Sequence, residues 1–273
     1  MSLPIGLQLY TIRDLMQDNF EHMIEQVAGM GYDVIEPAGL FGRSPQQVRK
    51  LCGEVGLGVI GLHVALEDVE GKLSAVADSA QMLGAAYVVV VMVPQAWRDA
   101  EGYRRAAQIM GSAAQTLSEA GLTLCYHNHS FEWDPLKESN GVRGIDVLFS
   151  DGAGAAVQSE LDVYWVKHAG DDPLAWMERL AGRLPLLHVK DMADKPDRPF
   201  AEVGTGVINM AAVVAKAESC GVRCLVVEQD SHWINDAPLE SVRLSYQNLK
   251  QIVEGIGQPE LADLNDRTRR RPI

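Results

Sequence analysis

The residues of this chain that could do chemistry recur at the ends of short apolar runs. Gln8 and Tyr10 close the first run, Glu36 the second and His63 the third, while His127, Asn128, His129 and Glu132 follow the fifth. The sixth ends in Glu160-Leu161-Asp162, the seventh in His188-Val189-Lys190-Asp191 and the eighth in Glu228-Gln229-Asp230. A buried carboxylate or imidazolium costs several kcal/mol to desolvate unless something offsets its charge. The last four runs offer, in order, Glu132, Asp162, His188 and Glu228. One divalent cation would neutralise three carboxylates at once, with the imidazole ligating in its neutral form. Oxygen-rich ligation with one nitrogen suits Mn²⁺, Mg²⁺ or Co²⁺ better than a structural zinc. His129 is near enough in sequence to stand in for Glu132. Taken singly, each of the four has a plain role as a helix cap, an ion-pair partner or a core histidine. Four such residues on consecutive runs point to one centre.

The elements that must position them form a regular alternation. Strands are predicted at 5–10, 34–37, 59–64, 87–93, 123–129, 156–162, 186–190 and 225–229, most of them near-continuous hydrophobic runs of the kind found where both faces of a parallel strand are covered. Helices are predicted at 19–30, 45–55, 67–83, 100–120, 142–149, 173–181, 210–219 and 239–253. Ser44-Pro45 and Asp172-Pro173 read as N-caps followed by proline at the first helical position. Gly31, Gly56, Gly84, Gly121 and Gly221 follow helical runs where a left-handed C-cap is needed. Eight β-then-α units predict a single (β/α)8 barrel, in which catalytic groups gather at the carboxyl ends of the strands. The barrel is assigned to residues 1–257 and a surface extension to 258–273. Gly204-Thr205-Gly206 lacks the third glycine and the lysine of a phosphate loop and reads as a turn.

Composition narrows the partners. The chain is 47% hydrophobic and 22% charged, as in a globular protein, and its net charge of −13 disfavours nucleic acid and anionic membranes. No run approaches the roughly 20 apolar residues that span a bilayer. The opening residues lack a basic segment followed by an apolar stretch, so a cytoplasmic location is expected. Four cysteines without a CxxC pair are expected to be free, buried thiols. Compact barrels often pair or form tetramers, so a homo-oligomer is an open expectation.

The chain resembles the sugar phosphate isomerase/epimerase group of xylose isomerase-like TIM barrels over essentially its whole length. The marks are Gly6-Leu7-Gln8-Leu9-Tyr10-Thr11, Gly31-Tyr32-Asp33-Val34-Ile35-Glu36, Tyr126-His127-Asn128-His129 with Phe131-Glu132, Glu160-Leu161-Asp162-Val163, His188-Val189-Lys190-Asp191, Val203-Gly204-Thr205-Gly206 and Val227-Glu228-Gln229-Asp230. The resemblance implies one divalent metal, Mn²⁺ foremost with Mg²⁺, Co²⁺ or Zn²⁺ as alternatives, held by Glu132, Asp162, His188 and Glu228. It implies no organic cofactor. Members that epimerise free ketohexoses carry a histidine three residues after the strand-six aspartate, and here that position is Trp165.

The chemistry expected of such a centre is enediolate formation from an α-hydroxy carbonyl compound, a sugar or keto-sugar, with Glu132 and Glu228 as base and acid on opposite sides of the substrate carbon. Reprotonation then epimerises or isomerises. Loss of a leaving group would instead make a lyase or dehydratase of the inosose dehydratase or keto-glycoside lyase type; hydroxypyruvate isomerase is a further alternative, and a catalytically silent sugar-binding barrel the remaining one. Lys190 would neutralise an oxyanion or pair with Asp191 or Glu160. His63, His127 and Gln229 have donors and acceptors suited to sugar hydroxyls, and Trp97, Trp133, Trp165 and Trp233 fall in loops where a ring could stack on a sugar face.

Overall fold

A computed structural model describes residues 3–137, 140–150 and 154–256. Eight parallel staves form the expected barrel: β1 (Ile5–Gln8), β2 (Val34–Glu36), β3 in two pieces (Gly58–Val59 and Gly61–Val64), β4 (Tyr87–Val90), β5 (Thr123–His127), β6 (Gln158–Asp162), β7 (Leu186–Val189) and β8 (Cys224–Val227). Each pairs with its sequence neighbours, and β1 pairs with β8. The ring closes through the broken stave, whose first piece pairs with β2 and whose second pairs with β4. Across the break, the Ile60 N–H donates to the Ile35 carbonyl and the His63 N–H to the Pro37 carbonyl.

Local signals end the helices where the sequence predicts. Ser44 accepts from the Gln47 N–H while the Gln47 side chain accepts from the Ser44 N–H, a reciprocal box that starts Pro45–Glu54. Asp172 caps Pro173–Arg179 through the Leu174 N–H. Gly31 and Gly221, with φ of 102° and 94°, take the left-handed turn that leads each helix into its next strand. Three segments differ from expectation. The strand predicted at 5–10 ends at Gln8, and after a 3-10 turn over Leu9–Ile12 the helix predicted at 19–30 already begins at Arg13. The run predicted as one helix over 67–83 is two, Leu66–Gly71 and Leu73–Leu83, because Lys72 adopts φ −141° between them. An extra short helix, Val163–His168, follows β6 directly, with Asp162 itself as its cap.

Side chains alternate across a strand, so residues two apart share a face. The larger apolar cluster fills the shell between staves and helices, and a small one, Val89, Cys125, Leu186, Cys224 and Val226, plugs the barrel interior. Two positions further along the same inward rows come His127, His188 and Glu228. The register sets Asp162 opposite His188, His127 opposite Glu160, and Gln8 opposite Glu36. The polar layer is therefore built on top of the apolar plug. All four cysteines are free and buried. Among the described residues no helix is long and apolar enough to cross a membrane. The extension assigned to 258–273 lies outside the described residues.

Candidate metal centre

Two overlapping groups of side chains meet at the carboxyl end of the barrel. In one, His127, Asp162, His188 and Glu228 offer ligand atoms that all lie within 4.8 Å of one another; in the other, His63, His127, Glu160 and His188 do the same. His188 sits between them. Its Nδ1 is 2.8 Å from Glu228 Oε2, and its Nε2 is 2.9 Å from Glu36 Oε2 and 3.1 Å from Glu160 Oε2. His63 Nε2 lies 2.8 Å from Glu160 Oε2 and 2.9 Å from Glu36 Oε2. Glu36, Glu160, Asp162 and His188 are all 0% exposed.

Three of the four ligands expected from sequence, Asp162, His188 and Glu228, thus come together, and His127 completes their group. Glu132 belongs to neither group. A single 3-10 turn, Phe131–Trp133, follows the loop after β5 and points its carboxylate at the barrel wall, where Oε1 accepts from the Tyr126 hydroxyl at 2.6 Å and Oε2 from the His129 N–H at 2.9 Å. Burial pushes its pKa up to about 7 against the pull of those donors.

Lys190, buried beside the first group, reaches Glu228 at 2.7 Å and both Asp162 and Asp230 at 3.2 Å. It pairs with neither Asp191 nor Glu160. Asp191 instead accepts the backbone N–H groups of Met192, Gly204, Gly206 and Ile208, so the Gly204-Thr205-Gly206 turn is clasped to the end of β7. Burial raises Asp230 to about 7, with Lys190 opposing. Burial would also raise Glu228, but the Lys190 and His188 charges outweigh it and hold the carboxyl well below its usual range. Burial disfavours a proton on His63, yet Glu36 and Glu160 overcome it and lift its pKa to about 10. His127 is driven the other way by burial and by the neighbouring His188 and Lys190, and stays neutral.

A neutral imidazole with a free lone pair is what a cation needs. His127 Nδ1, Glu160 Oε1 and Glu36 Oε1 are buried without a hydrogen bond, as is Asp162 Oδ2 apart from its ion pair with Lys190. Buried polar atoms are otherwise almost always satisfied, and a cation held by either group would satisfy those that belong to it. The donor set of carboxylate oxygens and imidazole nitrogens fits a divalent ion of the borderline or hard type.

Beside the group opens a cavity of about 520 Å³, lined by His63, His127, His129, Lys190, Glu228 and Asp230 and, further out, by the exposed Tyr10 and Met92. Gln229 does not reach it. On β8 the inward row is Cys224, Val226 and Glu228, so Gln229 faces outward, where its amide donates to Glu202 and to the carbonyls of Ser231 and His232. Trp165 packs its ring against His129, with centroids 5.5 Å apart, behind the cavity wall. Trp133 donates to Asp171 and meets Trp176 edge to face, Trp97 lies under Arg105, and Trp233 stands off the cavity. Glu36, named in the sequence only as a polar strand end, and Glu160, named besides only as an alternative partner for Lys190, are the members of the layer without an expected part in the centre; for Glu160 the available signal is its period-two relation to Asp162.

No curated protein sequence matches the chain. Among solved structures, a sugar phosphate isomerase/epimerase from Parabacteroides distasonis ATCC 8503 superposes with a TM-score of 0.80 at 21% identity, covering 93% of this chain and 96% of its own. An L-ribulose 3-epimerase gives 0.71 at 18% identity over 100% of both chains. The IolI protein, in a structure with a bound zinc atom, gives 0.71 at 15% identity over 94% of this chain and 99% of its own. At these identities the likeness is one of fold. The family model of the xylose isomerase-like TIM barrel matches residues 24–252, most of the chain and every stave of the barrel except β1. The chain belongs to the xylose isomerase-like TIM barrel family.

Proposed function

We propose that this chain is a divalent-metal-dependent epimerase or isomerase of a small sugar or keto-sugar. The observation that carries the reading is the convergence of His127, Asp162, His188 and Glu228 within 4.8 Å at the wall of the cavity, next to the Lys190 ammonium. A bound Mn²⁺ or similar ion would polarise an α-hydroxy carbonyl group and lower the cost of enediolate charge. Every other task falls to the chain. Glu228, kept ionised by Lys190 and His188, is placed to accept the proton from the carbon beside the carbonyl. Lys190 donates hydrogen bonds to the oxygen on which charge develops. Across the barrel mouth, the loop after β5 supplies the group on the other face: His129 lines the cavity and Glu132 stands behind it on the His129 N–H. The net charge and the lack of an arginine cluster among the described residues that line the cavity favour an unphosphorylated substrate.

A second reading rests on Asp230. A cavity-wall carboxyl with a pKa of about 7 can protonate a departing oxygen at neutral pH, which favours elimination from the same enediolate. Both readings are tested by incubating the purified protein and Mn²⁺ with a panel of keto-sugars in D₂O. Exchange of the C–H with retention of all oxygens supports epimerisation, and an unsaturated product supports elimination. Chelation should abolish either, with Mn²⁺ restoring it; full turnover after chelation rejects metal dependence.

A further inference from the structure

Glu36 belongs to neither ligand group, yet it is wholly buried at the end of β2 with Oε2 2.9 Å from His188 Nε2. Its place is set from the staves on both sides of it. Gln8, its register partner on β1, donates Nε2–H to the same oxygen at 3.0 Å. Gln8 Oε1 in turn accepts the Tyr10 N–H at 3.1 Å, which fixes the amide so that its nitrogen faces Glu36. On β3, Gly61 leaves the room the carboxylate occupies: a Cβ there would fall 2.5 Å from Glu36 Oε1.

A carboxylate only accepts, so the imidazole nitrogen facing it carries the proton, and a neutral imidazole has one proton to place. His188 has carboxylates at both nitrogens. In the absence of a cation both nitrogens can carry protons, and a cation on the Glu228 side would take the place of the one on Nδ1, 2.8 Å from Glu228 Oε2, leaving the other on Nε2 toward Glu36. Glu160 Oε2 approaches both rings, at 3.1 Å from His188 Nε2 and 2.8 Å from His63 Nε2, and Glu36 Oε2 is likewise 2.9 Å from His63 Nε2, so the two carboxylates together face the Nε2 side of both imidazoles.

We propose that Glu36, oriented by Gln8 and accommodated by Gly61, is a positioning residue that keeps the His188 proton on Nε2 and so presents Nδ1 to the metal. The inference rests on the reading of the site as a cation site. Outer partners of this kind fix ligand tautomer and orientation, and their loss weakens metal binding about 10- to 100-fold.

The test is calorimetric titration of Mn²⁺ into the wild-type chain, E36Q and G61A, with ¹⁵N histidine spectra of the Zn²⁺-loaded wild type. E36Q keeps the shape and removes the charge, whereas G61A leaves Glu36 in place and displaces its carboxylate. Both should bind one Mn²⁺ about 10- to 100-fold more weakly, and the spectra should show His188 protonated on Nε2 with Nδ1 bound to zinc. If E36Q does not fold, G61A and the wild-type spectra still decide. Wild-type affinity in both variants, or zinc on Nε2 of His188, overturns the proposal alone. A wild-type chain that binds no divalent cation overturns the metal reading together with it.

Discussion

His127 and His188 lie edge to face with ring centroids 4.5 Å apart, and each belongs to both candidate ligand groups. The pair is shared by the two groups, so a cation held by all members of either group would touch both rings. His127→Ala is expected to lower Mn²⁺ affinity by at least about 10-fold while sparing the barrel, because it removes a buried ligand and leaves a polar cavity that water can fill. Calorimetry and far-UV circular dichroism on the same sample check both halves.

Lys190 is the ammonium that faces Glu228, Asp162 and Asp230. Lys190→Met should destabilise the metal-free chain by about 3–5 kcal/mol, the range seen when one partner of a buried ion pair is removed and the others stay charged. Denaturant unfolding with and without Mn²⁺ gives the measurement. The cation should recover part of the loss, since it neutralises two of the same carboxylates.

Glu132 supplies a pH dependence whose sign follows from its environment. Its folded pKa of about 7 lies above the ordinary 4.5, so the neutral form is the one the fold favours. The associated stability is complete below pH 4.5 and is lost as pH rises through 7. The shift corresponds to about 3 kcal/mol at most. Wild-type unfolding free energy should therefore fall more between pH 5 and pH 8 than that of Glu132→Gln. Parallel pH profiles for the two proteins would contradict this.

Gly206 sits where a Cβ would come 2.3 Å from the Met192 carbonyl and 2.4 Å from Asp191 Oδ1. The first of these neighbours is backbone and cannot step aside cheaply. Gly206→Ala should cost about 1–3 kcal/mol and lower the melting temperature by several degrees, read by scanning calorimetry.

The barrel was legible because staves covered on both faces, such as Tyr87–Val90 and Cys224–Val227, must be apolar throughout, and their separation by capped amphipathic runs leaves few other folds. Ser44-Pro45 and Asp172-Pro173 worked for the same reason: a cap is satisfied by its own neighbours. The site was legible where parity on one strand sufficed. Asp162, His188 and Glu228 stand on inward rows, and the outward turn of Gln229 follows from Glu228 pointing in. Glu132 lies past the end of β5, where a 3-10 turn rather than strand period decides direction, and it turns to Tyr126. Glu36 and Glu160 depend on His63 and His188, which arrive from staves far away in sequence, so their pairing appears only when the ring closes.

The clasp of Asp191 on the Gly204-Thr205-Gly206 turn separates two jobs in one loop. The segment between them is a hairpin whose base is closed by Phe200–Ala201 pairing antiparallel with Asp191–Met192, and the latch beyond it is fastened by backbone N–H groups rather than by the side chains of the hairpin tip. Sequence changes confined to positions 194–197 should thus be absorbed by the hairpin tip without disturbing the stave that carries His188 into the polar layer.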